Sequence, residues 1–259
     1  MNAFTAIAAA TGRTSIAAAS DTGGMVLVLG QSLRRVARGR CDRDELLRSI
    51  VSFGLESLPI VLATAAFVGM IMVLQAVSYV RQYGVYDLVG WFTGFTTLRE
   101  VGPVLIGLMF SGRVGANNTA ELATMKVSEQ LEALDVLALD VFELLIVPRA
   151  FAMIIGLSAL VILGDLMAII AGALCARVLV EVSFTQFVAS VVGRVSVDDL
   201  SVGVVKALIF GAAIAVVSAH FGLSARGGSS GVGRAVNAQV VAAAVAIFIL
   251  DYFLTSVVR

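Results

Sequence analysis

Leu88 to Phe110 reads L-V-G-W-F-T-G-F-T-T-L-R-E-V-G-P-V-L-I-G-L-M-F, 23 residues that are apolar or weakly polar apart from Arg99 and Glu100 at the centre. About 20 such residues cross a bilayer as a helix. A charge at mid-span costs roughly 2.5–3.5 kcal/mol on insertion scales. A span carrying two therefore needs a protein or water-lined interior for them to face. Neighbouring residues on a helix point about 100° apart, so Arg99 and Glu100 need separate partners. Pro103 removes the hydrogen bond to the Arg99 carbonyl and predicts a kink, and Gly102 and Gly107 loosen the same region. A kinked, charged helix of this kind suits a substrate cavity. The simpler reading is a polar network that only holds a bundle together.

The rest of the chain agrees with a membrane setting. It is 59% hydrophobic and 14% charged, with mean hydropathy +0.99, against about 45–50% and 25% in soluble domains. Acidic and basic residues balance at 18 each, so nothing suggests nucleic acid as a partner. Four further apolar runs, about 56–80, 146–176, 202–223 and 236–257, reach spanning length. Continuous runs argue against a transmembrane barrel, which would alternate in shorter pieces. Residues 1–22 are small and polar and read as a disordered tail without signal-peptide pattern. Residues 23–48 join an apolar patch to Arg34, Arg35, Arg38, Arg40, Arg43 and Arg48, as expected of a helix lying in the interface. Basic residues outside the spans divide twelve to five, with Lys206 counted among the five. That bias puts the N-terminus in the cytoplasm and, after five crossings, the C-terminus outside. The fold expected is an all-α integral membrane protein: an interfacial amphipathic helix, five transmembrane helices and cytoplasmic helices, with residues 23–259 as one domain.

The longest cytoplasmic loop, about 113–147, alternates apolar residues with Glu121, Lys126, Glu129, Glu132 and Asp135, which suits one or two amphipathic helices. Asn117, Asn118 and Thr119 offer cap chemistry ahead of them. The outer loop 177–200 holds Asp198 and Asp199, with a short exposed helix expected. Small residues at fours (Gly107, Ser111, Gly115; Gly211, Ala215, Ala219) permit close helix packing. Asp165 is divided between a structural hydrogen bond and a transport role, and Asp251 is expected to reach the interface. Cys41 and Cys175 form no framework and no metal spacing. Gly227-Gly228-Ser229-Ser230-Gly231 matches the serine motif of intramembrane proteases, with His220 nearby, but a loop position and no oriented base favour a flexible turn. No G-x-x-x-x-G-K-[ST] loop is present, so ATP-driven work would need another polypeptide.

Several stretches together resemble the MlaE/YrbE permease family: L-R-E-V-G-P-V-L (98–105), G-R-V-G (112–115), A-E-L-A-T-M-K-V-S-E-Q-L-E-A-L (120–134), V-P-R (147–149), G-G-S-S-G-V-G-R-A (227–235) and L-D-Y-F-L-T (250–255). The resemblance covers about residues 25–258. It implies the membrane subunit of a bacterial inner-membrane ABC system that moves phospholipid or related lipid. The companions implied are a second copy or paralogous permease, a cytoplasmic ABC ATPase that carries ATP and magnesium, a periplasmic Mce-domain protein and, as a further candidate, a STAS-domain subunit. No cofactor is implied on this chain. By motif match, Leu98, Arg99 and Glu100 fall at a lipid cavity between the two permeases, and Gln75, Tyr79, Val80 and Tyr83 match the segment touching lipid tails. Residues 115–137, with Glu121, Lys126, Glu129 and Glu132, match helices that couple to the ATPase, and Glu129 and Pro148 loosely resemble the coupling loop of other ABC permeases. The family often has Asp-Pro where this chain has Asp140-Val141. The rival reading is a secondary transporter driven by protons through Glu100, Asp165 and Asp251; a scaffold with no transport of its own is the third.

Overall fold

All three prolines fall at the first positions of an α-helical segment, and Pro103 and Pro148 each follow directly on a π-turn, which absorbs the hydrogen bond their missing N–H cannot make. The computed structural model describes residues 3–36, 42–84, 86 and 88–257 and contains no strand among them. Eleven α-helices follow in order: α1 (Ala3–Val36), α2 (Arg43–Ile50), α3 (Leu58–Tyr83), α4 (Leu88–Thr96), α5 (Gly102–Phe110), α6 (Ala116–Val127), α7 (Gln130–Val136), α8 (Val147–Val180), α9 (Phe184–Arg194), α10 (Val197–Leu223) and α11 (Gly228–Val257). Single π-turns at Val51–Leu55, Thr97–Val101, Ser111–Gly115 and Phe142–Ile146 join several of these into longer runs.

Among the described residues, four helical runs are long and apolar enough to cross a membrane: Asp44–Val80, Phe142–Val180, Val197–Leu223 and Gly228–Val257. The expected span at 88–112 is not one of them, because Arg99, Glu100 and the threonines around them dilute its hydropathy. It is nevertheless helical from Leu88 to Val127 through two π-turns, the first of which carries Arg99 and Glu100 just ahead of Pro103. A π-turn is a common way for a helix to absorb a lost hydrogen bond.

Several sequence expectations need correction. Helix α1 begins at Ala3 and so occupies most of the segment read as a disordered tail. The basic segment is not one helix: α1 is described to Val36, 37–41 lie outside the described residues, Asp42 is extended and caps α2, and α2 leads into the first long run. Asn118 and Thr119 do not cap a helix, since α5, the Ser111–Gly115 turn and α6 are continuous. They turn inward instead, Asn118 donating to Ser218 Oγ (2.9 Å) and Thr119 to the Ser218 carbonyl (3.1 Å). The outer-loop helix α9 is not simply exposed, because Phe187 and Val191 are buried against α4. The glycine-serine turn is short, with Gly227 and Gly228 at φ +90° and +71° and Ser229 already in α11.

Side-chain contacts fix the directions of the long elements. Val61 meets Gly164, and Gly69 meets Ala168 and Gly172, so α3 and α8 run parallel. Leu98 meets Gly203 and Thr119 meets Ser218, so the 88–127 run lies parallel to α10 along its length. Gln239 reaches Ser111 and Thr255 reaches Glu100, which sets α11 antiparallel to that run. Helix α8 is central, and Phe110, Met153, Leu157, Phe210, Ile214 and Ile247 are all sealed in the core around it. The outside is apolar too: Val241, Val245, Phe248, Tyr252 and Phe253 of α11 are each more than half exposed. A soluble protein does not present such a face.

Close approach depends on glycine at the α3–α8 crossing, where a Cβ on Gly69 would collide with the Ala168 carbonyl. Gly69→Ala is expected to lower stability by about 1–3 kcal/mol. Gly233→Ala in α11, where a Cβ meets nothing within 4 Å, is expected to be neutral or to stabilise by up to about 1 kcal/mol. Thermal unfolding of the two purified variants checks the contrast.

Candidate functional site

The first π-turn sets Arg99 and Glu100 toward different neighbours, as their spacing requires. Arg99 Nη1 donates to Asp199 Oδ1 at 3.2 Å, and its guanidinium lies 5.6 Å from the centre of the Phe95 ring. Asp199 is itself held by a capping box: its other carboxylate oxygen accepts the Ser196 N–H at 2.9 Å at the start of α10. One side chain thus both begins α10 and anchors Arg99.

Glu100 turns to Lys206, a residue the sequence reading had counted among the outer-side loop cations. Lys206 lies inside α10 with a side chain only 1% exposed. Its three N–H donors have three oxygens in reach: Glu100 Oε2 at 2.6 Å, Thr255 Oγ1 at 2.8 Å and Asp251 Oδ1 at 2.8 Å, the last an ion pair without hydrogen-bond alignment. Thr255 in turn donates to Glu100. Asp251 therefore faces inward and does not reach for the interface. The missed signal was present: Lys206 is the only charge within 202–223, opposite a span that contains Asp251.

The cluster comprises two basic and three acidic side chains, with Lys206 sealed and the Glu100 and Asp251 side chains about a third and a fifth exposed. Arg99 and Glu100 are central in 88–110, but Lys206 lies about 13 Å into α10 and Asp251 about 9 Å from the end of α11. The cluster therefore sits toward the end of the bundle where α3 meets α4.

At that same end, Tyr79, Val80 and Tyr83 of α3 and Leu88, Trp91 and Phe92 of α4 line an apolar groove of about 260 Å³. Trp91 stacks on Phe95 (5.9 Å between centres) and Phe95 underlies Arg99, so a stripe at i, i+4, i+8 joins groove and ion cluster. Gln75 is exposed on α3 outside the groove lining, and Leu98 is buried with its carbonyl against Gly203. The structure thus brings Arg99 and Glu100 into one cluster and Tyr79, Val80 and Tyr83 into one groove, with Gln75 and Leu98 outside both.

The opposite end carries the coupling candidates. Glu121 is engaged by Arg149 Nη2 at 2.8 Å. Lys126 and Glu132 pair at 3.1 Å across the α6–α7 corner, where Glu129 takes a left-handed conformation at φ +60°. Arg35 at the end of α1 donates to Asp140 at 2.7 Å and covers the Phe142 ring. Partial burial works against the Asp140 charge, but Arg35 and the backbone N–H groups of Phe142 and Glu143 outweigh it and hold the carboxyl below its usual 3.8. A depressed native pKa stabilises above the unfolded value, and that contribution fades as pH falls through the native one. Acid is therefore expected to loosen the end of α1, read as faster amide exchange in 25–36. Arg35→Gln should remove this dependence.

His220 faces Asp21 of α1 (3.4 Å), while Ser230 donates to the Gly227 carbonyl, so neither forms a nucleophile and base with the other. Glu100 and Asp251 share Lys206, and Asp165 stands apart from them, so the three carboxylates of the proton-driven reading do not form one relay.

A bundle of long apolar helices with paired charges inside, and surface helices at one end, is the build of a multi-pass membrane permease. Comparison with known proteins narrows this. Residues 46–257 match the family Permease MlaE, and the chain belongs to it. A probable ABC transporter permease protein of Rickettsia felis is 32% identical over 249 residues, 96% of each chain. Another from Synechocystis sp. is 34% identical over 226 residues, 87% of this chain and 86% of its own. The Arabidopsis thaliana chloroplastic protein trigalactosyldiacylglycerol 1 is 31% identical over 230 residues, 89% of this chain and 66% of its own.

Proposed function

We propose that this ABC transporter permease moves phospholipid or a related lipid between the bacterial inner membrane and an Mce-domain partner. The observation that carries the reading is the continuous stripe from the apolar groove of Tyr79, Tyr83 and Trp91 through Phe95 to the Arg99–Glu100 cluster. An acyl chain matches the groove, and a headgroup matches the ions. The name of the Arabidopsis relative, which contains that of a diacylglycerol lipid, adds support.

In this reading the chain crosses five times, with the 88–127 run as the second crossing beside α10 and the N-terminus in the cytoplasm. Removing Lys206 from the loop count leaves the basic bias on the same side. A second copy or paralogue covers the exposed apolar faces and encloses the cavity. A separate ATPase binds ATP and magnesium and pushes on α6 and α7; a STAS-domain subunit is a further candidate companion. The test is to purify the complex, identify co-extracted lipid by mass spectrometry and measure lipid transfer in vesicles. An Arg99→Ala/Glu100→Ala variant is expected to transfer at least about tenfold more slowly, the effect of about 1.4 kcal/mol on a barrier. No bound lipid, together with undiminished transfer by the variant, would overturn the reading.

A further inference from the structure

Asp165 lies near the middle of α8, in a stretch with no other charge between Arg149 and Arg177. Its side chain is 1% exposed, and neither carboxylate oxygen has a hydrogen-bond partner. One of them presses on Gly102, at the head of α5, so closely that any Cβ there would collide with it. Between α3, α8, α5 and the Thr97–Val101 turn is a small, partly open void of about 10 Å³, with Asp165 at its buried side and Thr97, Gly102 and the half-buried Thr64 among its lining. The Thr97 hydroxyl is also buried without a partner. Thr64 gives its proton to the Ile60 carbonyl and so keeps its lone pairs free.

No residue lining the void is basic, and α3 contributes only Thr64, Ala65 and Val68. Arg99 and Glu100 belong to the same π-turn but are engaged by Asp199 and Lys206. Lys206 is fully occupied, and Asp251 sits with it. An ionised carboxylate left alone in such surroundings is prohibitive, and real proteins neutralise it. The void has room for about one water molecule or one bare ion. Its polar lining is all oxygen, the donor type of hard cations.

We propose that Asp165, Thr97 and Thr64 form a resident site for one small monovalent positive charge, supplied as a sodium ion or as a proton. The bound charge ties α8 to the π-turn that aims Arg99 and Glu100, so its occupancy sets the rigidity of that turn. The site stands on the unpartnered carboxylate and the void and does not depend on lipid being the substrate.

The experiment follows the thermal unfolding of the purified complex at constant ionic strength, first as choline is exchanged for sodium and then across a pH series. Wild type is compared with Asp165→Asn, which keeps the shape but needs no counter-charge. If sodium is the occupant, the wild-type midpoint rises with sodium and the variant's does not. If the proton is the occupant, only the pH series separates the two, and infrared spectra of wild type show a protonated-carboxyl band missing from the variant. Identical responses of both proteins to both titrations overturn the proposal. Thr97→Val serves if Asp165→Asn does not fold. Removing one ligand of a charged site is expected to weaken the sodium or proton dependence about tenfold, and an unchanged dependence also overturns it.

Discussion

Replacing Lys206 with methionine is expected to destabilise the protein by about 3–5 kcal/mol, because it strands carboxylates inside the bundle that had shared one ammonium. The geometry sets the size of the effect. Lys206 is 1% exposed and has Glu100, Asp251 and Thr255 within 2.8 Å. The ammonium position itself is sealed, although Glu100 and Asp251 keep part of their exposure. For a chain of this size the loss corresponds to a fall of about 6–20 °C in the melting temperature. Lys206→Arg is also expected to fail in part, since a planar guanidinium cannot point three donors at three oxygens from the space of an ammonium. The decisive control is the triple variant Lys206→Met/Glu100→Gln/Asp251→Asn, which removes the whole charge set. It is expected to recover most of the stability, because a buried ion group swapped for neutral residues is often close to neutral in energy. It is not expected to recover lipid transfer. If Lys206→Met alone unfolds within 2 °C or so of wild type, the cluster is solvated and the buried-ion account fails.

Much of this cluster was legible before any coordinates. Two adjacent charges within an apolar run require two partners, and the helix period alone shows they cannot serve each other. The identity of the partners was not legible, because it depends on depth. Lys206 lies nine residues into α10, and from sequence a lysine near the start of an apolar run reads as a loop cation. Only the antiparallel placement of α11 brings Asp251 and Thr255 to the same level. The capping box at Ser196 and Asp199 is written plainly as S-V-D-D, yet its carboxylate's second task, anchoring Arg99, needs α10 to start beside the π-turn. The fold class followed from run lengths. The π-turns did not: two of them directly precede Pro103 and Pro148, whose missing N–H removes a regular bond, and tertiary packing absorbs the slack. Asn118 and Thr119 show the same limit: the helix runs on through them from α5, so there is no start to cap, and their side chains bond Ser218 of α10 instead.

Arg149 carries the second large effect, and its argument is about transmission. The guanidinium, 7% exposed, donates from Nε to Glu45 of α2 at 2.9 Å, from Nη1 to Asn118 of α6 at 3.3 Å and from Nη2 to Glu121 of α6 at 2.8 Å. Asn118 continues to Ser218 of α10. One planar side chain therefore fastens α8 to the helix beneath α3 and to the helix expected to meet the ATPase. Arg149→Met is expected to lower stability by about 3 kcal/mol or more, but the two acidic partners should share it unequally. Glu121 is half exposed and can return to water, so its coupling with Arg149 in a double-mutant cycle is expected to fall below about 1 kcal/mol. Glu45 is only 17% exposed, so its coupling should exceed about 1.5 kcal/mol, the range of charged hydrogen bonds. Arg149→Lys keeps the charge but loses the fork and should stabilise no better than halfway. Function separates this hub from mere packing. If, as proposed, an ATPase pushes on α6 and the cargo is lipid, these bonds are the route to α2 and α8, and Glu45→Gln/Arg149→Met is expected to leave ATP hydrolysis by the assembled complex within about twofold of wild type while lipid moved per ATP falls about tenfold or more, a loss of about 1.4 kcal/mol of coupling. Transfer and hydrolysis falling in step would show that the network holds the fold together and transmits nothing.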